Sequence, residues 1–259
     1  MGQGLIVIAI ASEFELRKLR PLIDVGRVEV HGGRKFLFGT MRGRDVCLVK
    51  TGAGRKNAAA AARKICSVLD PDLVVIAGAA GALDPCLGLG AAVVVETVVR
   101  ENNSEKIVCP DEYARRAQVL LRSAGMKANA GCCCQVRTFM HRAADKRILF
   151  EKTGAQIVDM ESAAFGYEFQ AAGVLYINIR IVSDTAGRDT ADMATLVRLR
   201  YRFGRIGSLL RLCLRPRELI RAWLFYRGMG IAADRIAKAL RILMGAQGEP
   251  SGLDRTAVG

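Results

Sequence analysis

Glu161 and Asp184 are the side chains of this sequence best spaced to do chemistry. The apolar run ahead of Asp159 gives way, within IVDMESAAFGYEFQAAG, to a helical period that puts Ala163, Ala164, Tyr167 and Ala171 on one buried face. Glu161 therefore stands at a strand-to-helix junction. Gly173 ends that helix, and Leu175–Val182 is a nearly continuous apolar run, as a strand covered on both faces needs; it breaks at Ser183-Asp184. Two carboxylates thus lie near the carboxyl ends of two adjacent buried strands, where open α/β sheets place their ligand crevice. There they can hydrogen-bond a ligand or exchange a proton with it. Each has a plainer reading as well: an acid at a helix start suits the positive end of the dipole, and Asp184 can cap the next element.

The elements that must hold these groups are legible in outline. Leu5–Ala11 reads as a first buried strand and not as a secretory leader, because no basic residue precedes it and Glu13 and Glu15 follow at once. A helix then runs to Leu22. Val28–Phe38 and Asp45–Lys50 look like short strands with turns at Gly32-Gly33 and Gly43, and Gly52-Ala53-Gly54 opens an alanine-rich helix to about Leu69. A Gly-x-Gly before a helix can cradle a phosphate through backbone N–H groups, but the remaining residues of a dinucleotide fingerprint or a P-loop are absent. Leu73–Ala77 is another buried strand, running into a small-residue loop, Gly78–Leu83; Ala91–Val99 is a further strand, and Asp111–Ala124 a helix.

At 259 residues the chain suits one large α/β domain with an appendage. Its eight cysteines show no C-x-x-C spacing, three of them being the contiguous Cys132–Cys134, so neither a zinc site nor a disulfide framework is readable and a reducing compartment is the simplest home. With only His31 and His141, there is little material for a histidine metal site or a Ser-His-Asp triad. No cofactor and no metal is expected.

VDMESAA followed by an apolar strand ending in SDTA resembles the purine nucleoside phosphorylase and methylthioadenosine/S-adenosylhomocysteine nucleosidase superfamily, whose members carry V-D-M-E-(A/S)-x-A and then R-x-(I/V)-S-D-x-A. Met160, Glu161, Arg180, Ser183, Asp184 and Ala186 all match. The resemblance implies that Glu161 holds the ribose hydroxyls, that Met160 packs on the sugar, and that Asp184 donates a proton toward N7 of the departing purine. Ala11–Glu15 is similar to the A-x-x-x-E of the nucleosidase branch, which places Glu15 where those enzymes keep the carboxylate that activates water; Glu13 and Glu15 also read as first-turn helix acids. Thr51–Asn57 resembles the G-x-G-(K/R)-x-N-A-A segment. Gly78–Leu83, with Ala80 and Gly81, resembles G-(S/T)-A-G-(G/A)-L, Ala79 replacing the usual hydroxyl residue. Phe139-Met140 falls, with a one-residue gap, where the family places an aromatic against the purine; a core Phe is the other reading. The long loop that methylthioadenosine nucleosidases use near the 5′ group is missing after Val99, the chain going through Glu101–Lys106 directly toward the helix at Asp111, so the 5′ side is expected to be more open.

Residues 196–245 hold eleven Arg and one Lys against Glu218 and Asp234, a net +10 of the chain's +14. Leu219, Ile220, Trp223 and Leu224, then Ala232, Ile236, Ala239, Leu240 and Leu243, have helical spacing with arginines between them. Such a pattern is expected of helices on an anionic bilayer surface, and no run is long enough to span one. Two other readings stay open, an amphipathic appendage packed on the core and a nucleic-acid-binding arm; the apolar stripe makes nucleic acid unlikely. The expectation is therefore an α/β fold, three-layer α/β/α with a central mixed sheet, in residues 1–195, a basic helical arm in 196–245 and a disordered tail in 246–259. The membrane-directed arm and open 5′ side resemble the hopanoid-associated nucleoside phosphorylases/nucleosidases, which remove adenine from adenosylhopane. That resemblance implies a cytoplasmic enzyme at the inner face of the membrane, a homo-oligomer with a dimer favoured, acting on a small-molecule or lipid-linked nucleoside. Water is the expected acceptor because Ala11–Glu15 stands where phosphorylases of the superfamily carry the arginine of a Gly-Asp-Pro-x-Arg segment, and a carboxylate there repels a phosphate dianion; Arg42, Arg44 and Arg55 are the remaining candidates for a phosphate site. Phosphorolysis, a soluble purine nucleosidase with a small substrate, and a non-catalytic basic membrane- or RNA-binding protein are the alternatives.

Overall fold

The structure, a computed structural model, describes residues 4–192 and 215–245. β1 (Ile6–Ile10) is buried along its whole length. Ser12 then opens α1 (Glu13–Leu19): its hydroxyl accepts from the Glu15 N–H while the Glu15 carboxylate accepts from the Ser12 N–H, a capping box. A short 3-10 turn, Arg20–Leu22, leads into the antiparallel strands β2 (Asp24–His31), β3 (Arg34–Met41) and β4 (Arg44–Lys50). Gly32 and Gly33 both have positive φ, as the two-residue turn between β2 and β3 requires.

The remaining elements are α2 (Arg55–Val68), β5 (Leu73–Ala82), β6 (Ala92–Arg100), β7 (Asn103–Val108), α3 (Asp111–Ser123), β8 (Ala128–Gln135), α4 (Ala143–Thr153), β9 (Ile157–Asp159), α5 (Ser162–Ala171), β10 (Tyr176–Asp184) and α6 (Pro216–Gly245). The strands form one mixed sheet in the order β10-β6-β8-β9-β5-β1-β4-β3-β2, with β7 paired to β6. β10 also pairs with β5, in parallel, so β5, β10, β6, β8 and β9 close into a ring from which β1 to β4 extend.

Alternation along the strands builds the three layers. Ile6, Ile8 and Ile10 of β1 point into one core with Leu19 of α1, Ala114, Ala117 and Leu121 of α3, and α6. Val7 and Ala9 point the other way, against Ala58, Ala62 and Ile65 of α2 and Phe165 and Phe169 of α5. The expected mixed sheet between helical layers is what forms; its closure into a ring depends on pairings between strands distant in sequence, which no local pattern announces.

Several sequence expectations need correction. Gly78–Leu83 is no loop, since β5 runs through to Ala82, and residues 101–106 do not lead straight to a helix but turn back as the β6–β7 hairpin. In α5 the buried face is Ala163, Ala164, Phe165, Gly166 and Phe169, with Ala171 exposed. The largest revision concerns the basic arm. Ala232, Ile236, Ala239, Leu240 and Leu243 of α6, expected to face a bilayer, are buried in the same core as β1. At Gly228 the helix sits so close to β10 that an added Cβ would stand 1.9 Å from the Ser183 carbonyl oxygen. Only the amino-terminal half keeps an exposed apolar face: Ile220 and Trp223 are 58% and 59% exposed, beside Leu219 and Tyr226. Residues 196–214 and the tail 246–259, with the disorder expected there, lie outside the described residues. Among the described residues no helix is long and apolar enough to cross a membrane.

Candidate active site

Glu15, Asp159, Glu161 and Arg180 form one network over the sheet around Gly78, and Asp184 stands at the end of β10 against Gly81, three residues further along β5. β9 stops at Asp159 because that side chain turns back on the backbone: its Oδ1 accepts from the N–H groups of Glu161 and Ser162 at 3.3 and 3.1 Å, capping α5. Its Oδ2 accepts from the Ser162 hydroxyl at 2.5 Å and from Arg180 Nη2 at 2.7 Å. Ser162 in turn accepts from Asn178 Nδ2 at 2.7 Å and Arg180 Nη2 at 3.2 Å. Arg180 is thus clamped within the sheet, and Nη1 lies 3.9 Å from Glu161 Oε2.

The other Glu161 oxygen accepts from the Gly54 N–H at 2.6 Å. Gly54 has φ of 90°, a conformation open to glycine and costly for other residues, so the Gly-x-Gly segment aims an N–H at the carboxylate. That donor, a candidate for phosphate by sequence, is taken. Burial, and next the charge of Asp159, push the Glu161 carboxyl up to about 7 despite Arg180.

Glu15 is buried too. Its Oε2 accepts from the N–H groups of Ala11 and Ser12 at 2.9 and 2.7 Å, and its Oε1 from the Ala79 N–H of β5 at 3.1 Å. The capping box and the site are therefore the same interaction: α1 starts where it does and in doing so turns an acid inward over the sheet. Burial raises this carboxyl above its ordinary value, against the opposing pull of those N–H donors. Glu13 is exposed and pairs with Lys50 and Arg17, the plain first-turn acid. Gly78 makes room for the cluster, since a Cβ there would lie 2.4 Å from Arg180 Nη1 and 3.5 Å from Glu15 Oε1.

Asp184 closes the other side. The β5–β10 register pairs Val182 with Ala80 and Asp184 with Gly81, so a bulge at Ser183 turns both polar side chains at the strand's end. Ser183 Oγ lies 3.2 Å from the Ala80 carbonyl oxygen and 2.8 Å from Asp184 Oδ1. Asp184 Oδ2 accepts from Lys146 Nζ, and a Cβ on Gly81 would stand 3.1 Å from that oxygen. Lys146 was not legible as a site residue. Its signal is a lysine on the α4 face that also presents Leu149 to the core, a position where an unpaired charge is costly.

Met140 and Met160, both partly buried, pack against the cluster that contains Leu83 and Val158. Phe139 lies next to Ala191 and Ala222, its ring 5.6 Å from Phe225 of α6 and edge-on to it. Burial pushes the Cys47 and Cys134 thiols up to about 12, which leaves both without thiolate character near neutrality.

A 30% identical relative, the 5′-methylthioadenosine/S-adenosylhomocysteine nucleosidase of Bacillus thuringiensis subsp. konkukian, aligns over 200 residues, 70% of this chain and 85% of its own. The enzyme of that name from Marinomonas sp. is 28% identical over 199 residues, with the same coverage of both chains. The fold is also that of the Neisseria meningitidis nucleosidase of this name solved with methylthio-immucillin-A, at TM-score 0.75 and 18% identity over 93% of this chain and 99% of that one. Helicobacter pylori futalosine hydrolase shares it as well, at TM-score 0.74 and 18% identity over 92% and 96%. Residues 5–207 match the family model of the phosphorylase superfamily, and the chain belongs to that superfamily.

Proposed function

We propose that this protein hydrolyses the N-glycosidic bond of a 5′-substituted adenosine, releasing adenine, and that its substrate is a lipid-linked nucleoside, adenosylhopane, met at an anionic membrane surface. The observation that carries the reaction is the convergence of Glu15, Glu161 and Asp184 on one buried end of the sheet, around Arg180 and the two small-residue positions Gly78 and Gly81.

Glu161, fixed by the Gly54 N–H and Arg180, accepts hydrogen bonds from the ribose hydroxyls, and these strengthen as positive charge develops at the anomeric carbon. Asp184 passes a proton to N7 of the purine as the C1′–N9 bond breaks and its electron pair moves into the ring. Glu15 accepts the proton of the water that attacks C1′. Met160 flanks the sugar, and Met140 packs against the same apolar cluster. Water as acceptor is favoured over phosphate by three features. Ala79 offers no hydroxyl and its N–H is used by Glu15, and the Gly54 N–H is used by Glu161. Arg42 and Arg44 lie at the amino end of β4, away from the site, and Arg55, which follows Gly54 at the start of α2, is exposed. The buried acids would repel a phosphate dianion.

A 5′ substituent has room. A cleft of about 640 Å³ lies against Thr51 and Gly52 at the carboxyl end of β4, walled by Leu16 and Leu37 and by the charged Glu13, Arg34, Lys35 and Lys50. For membrane contact the support is the outer face of the first half of α6, where exposed Leu219, Ile220, Trp223 and Tyr226 stand among Arg217, Arg221 and Arg227. Arg227 lies over the Trp223 ring at 5.5 Å, the arrangement of an interfacial anchor with its counter-charge outside.

The test is adenine release with and without phosphate, identifying the sugar product. A free reducing ribosyl product, with activity lost in Glu15→Gln, supports hydrolysis; ribosyl 1-phosphate or a strict phosphate requirement overturns it.

A further inference from the structure

Lys146 and Asp184 form an ion pair with side chains 0% and 4% exposed, beside the atoms that must protonate the leaving group. An ammonium so deeply buried is tolerable only with its proton acceptors in place, and two are: Asp184 Oδ2 and the Thr185 carbonyl oxygen at 3.0 Å. The other oxygen of Asp184 faces Ser183 Oγ, which also faces the Ala80 carbonyl oxygen. A hydroxyl has one proton to give. When it goes to Asp184, the carboxylate is ionised; when it goes to Ala80, the short Ser183–Asp184 contact needs a proton on Asp184 itself. The surroundings therefore accept Asp184 in both protonation states, with a proton-bearing nitrogen on its far side.

We propose, on the basis of the glycosidase reading, that Lys146 is the positioning residue that recharges Asp184: it holds the carboxylate in the resting enzyme and yields to it the proton that passes to the departing base. The balance closes over one turnover. Asp184 loses a proton to N7 as the glycosidic electron pair leaves, and Lys146 Nζ–H replaces that proton. Water adds to C1′ and its proton goes to Glu15; solvent then takes a proton from Glu15 and returns one to Lys146.

The other charged groups near the pair do not compete for this role. Arg142, Asp145 and Arg147 on the same helix are exposed. Asp189, before which α4 begins, pairs with Arg221 of α6, and Asp84 after β5 accepts from the Cys86 N–H. Asp159 and Glu161 engage Arg180, and Glu15 engages backbone donors of Ala11, Ser12 and Ala79.

The experiment is the pH profile of kcat for adenine release from 5′-methylthioadenosine by the full-length protein, Lys146→Met and Lys146→Arg. In the wild type the transferable proton sits on an ammonium and the rate holds into alkaline pH. In Lys146→Met it sits on a carboxyl group, so kcat falls by roughly 10²-fold, its alkaline limb moves to lower pH by more than about one unit, and added methylamine restores part of the rate. Lys146→Arg keeps charge and donors but does not release its proton, so it stays slow. A purely structural role would lower the amount of folded enzyme and leave the limb where it is. An unmoved limb in Lys146→Met without amine rescue, or full activity in Lys146→Arg, overturns the proposal while leaving the glycosidase reading intact. Absence of adenine release from the wild type with both 5′-methylthioadenosine and adenosylhopane overturns both. If Lys146→Arg does not fold, the Lys146→Met profile and its amine rescue decide.

Discussion

Replacing Glu161 by Gln should make the protein more stable above neutral pH while making it a worse enzyme. In the folded chain burial and the neighbouring Asp159 push the Glu161 carboxyl up to about 7 from an ordinary 4.5. A carboxyl whose folded value is raised contributes its full stability below the unfolded value, and that contribution is lost as pH rises through the folded one. Glu161 is therefore neutral and harmless near pH 4, and above pH 7 its enforced charge costs about 3 kcal/mol at roughly 1.4 kcal/mol per pH unit. Gln keeps an oxygen for the Gly54 N–H and removes that charge. Glu161→Gln should thus melt about 5 to 10 °C higher than wild type at pH 8.5, and the gap should close toward pH 4.5. Over the same range kcat should fall far more than KM rises, because the lost hydrogen bonds are those that strengthen in the transition state. Thermal melts across this pH series, paired with adenine release, check both halves. A melting difference independent of pH, or a destabilised variant at pH 8.5, would refute the electrostatic account of the site.

Asp184→Asn should lower kcat by about 10² to 10⁴-fold with the fold retained, read by initial rates and circular dichroism; near-normal turnover would remove Asp184 from the chemistry. Leu240→Ala, on the buried face of α6, should cost about 2 to 5 kcal/mol in denaturant melts, whereas a detachable arm would show no such loss. Ile220→Asp combined with Trp223→Ser should abolish sedimentation with anionic liposomes and leave cleavage of a water-soluble adenosine unchanged, since both side chains point outward. Binding that survives this pair would place membrane contact elsewhere.

The segments that build the candidate site were legible because their geometry is local. VDMES packs a strand end, an Asx-type cap and a helix start into five residues, and SDTA marks a strand end whose two polar side chains share a bulge. Glu15 was legible as a first-turn helix acid, and the capping box that makes it one also turns its carboxylate inward over the sheet, where the proposed reaction uses it. What escaped was set by distance along the chain. Lys146 reaches Asp184 across 38 residues, and on its own helix it is one lysine among several charges. The stripe of α6 announced an amphipathic helix but not its partner, since a core and a bilayer ask for the same apolar spacing. Phe139, aligned to a purine-stacking position with a gap, lies against Phe225 of that helix, whose path residue 139 could not foretell.

The composition of the site also explains why Glu15 and Glu161 differ from Asp159 and Asp184. Asp159 has Arg180 at 2.7 Å and Asp184 has Lys146, so each of these carboxylates has a cation of its own. Glu15 is held only by backbone N–H groups, and Glu161 by one N–H and the more distant edge of an arginine already committed to Asp159. These are the two whose carboxyls burial pushes upward. A cavity with two undercompensated acids is poor ground for a dianionic nucleophile and good ground for a sugar that becomes cationic as its base departs. In the proposed reaction, the same imbalance that costs the folded state some stability would stabilise the charge that the substrate develops in reaching the transition state.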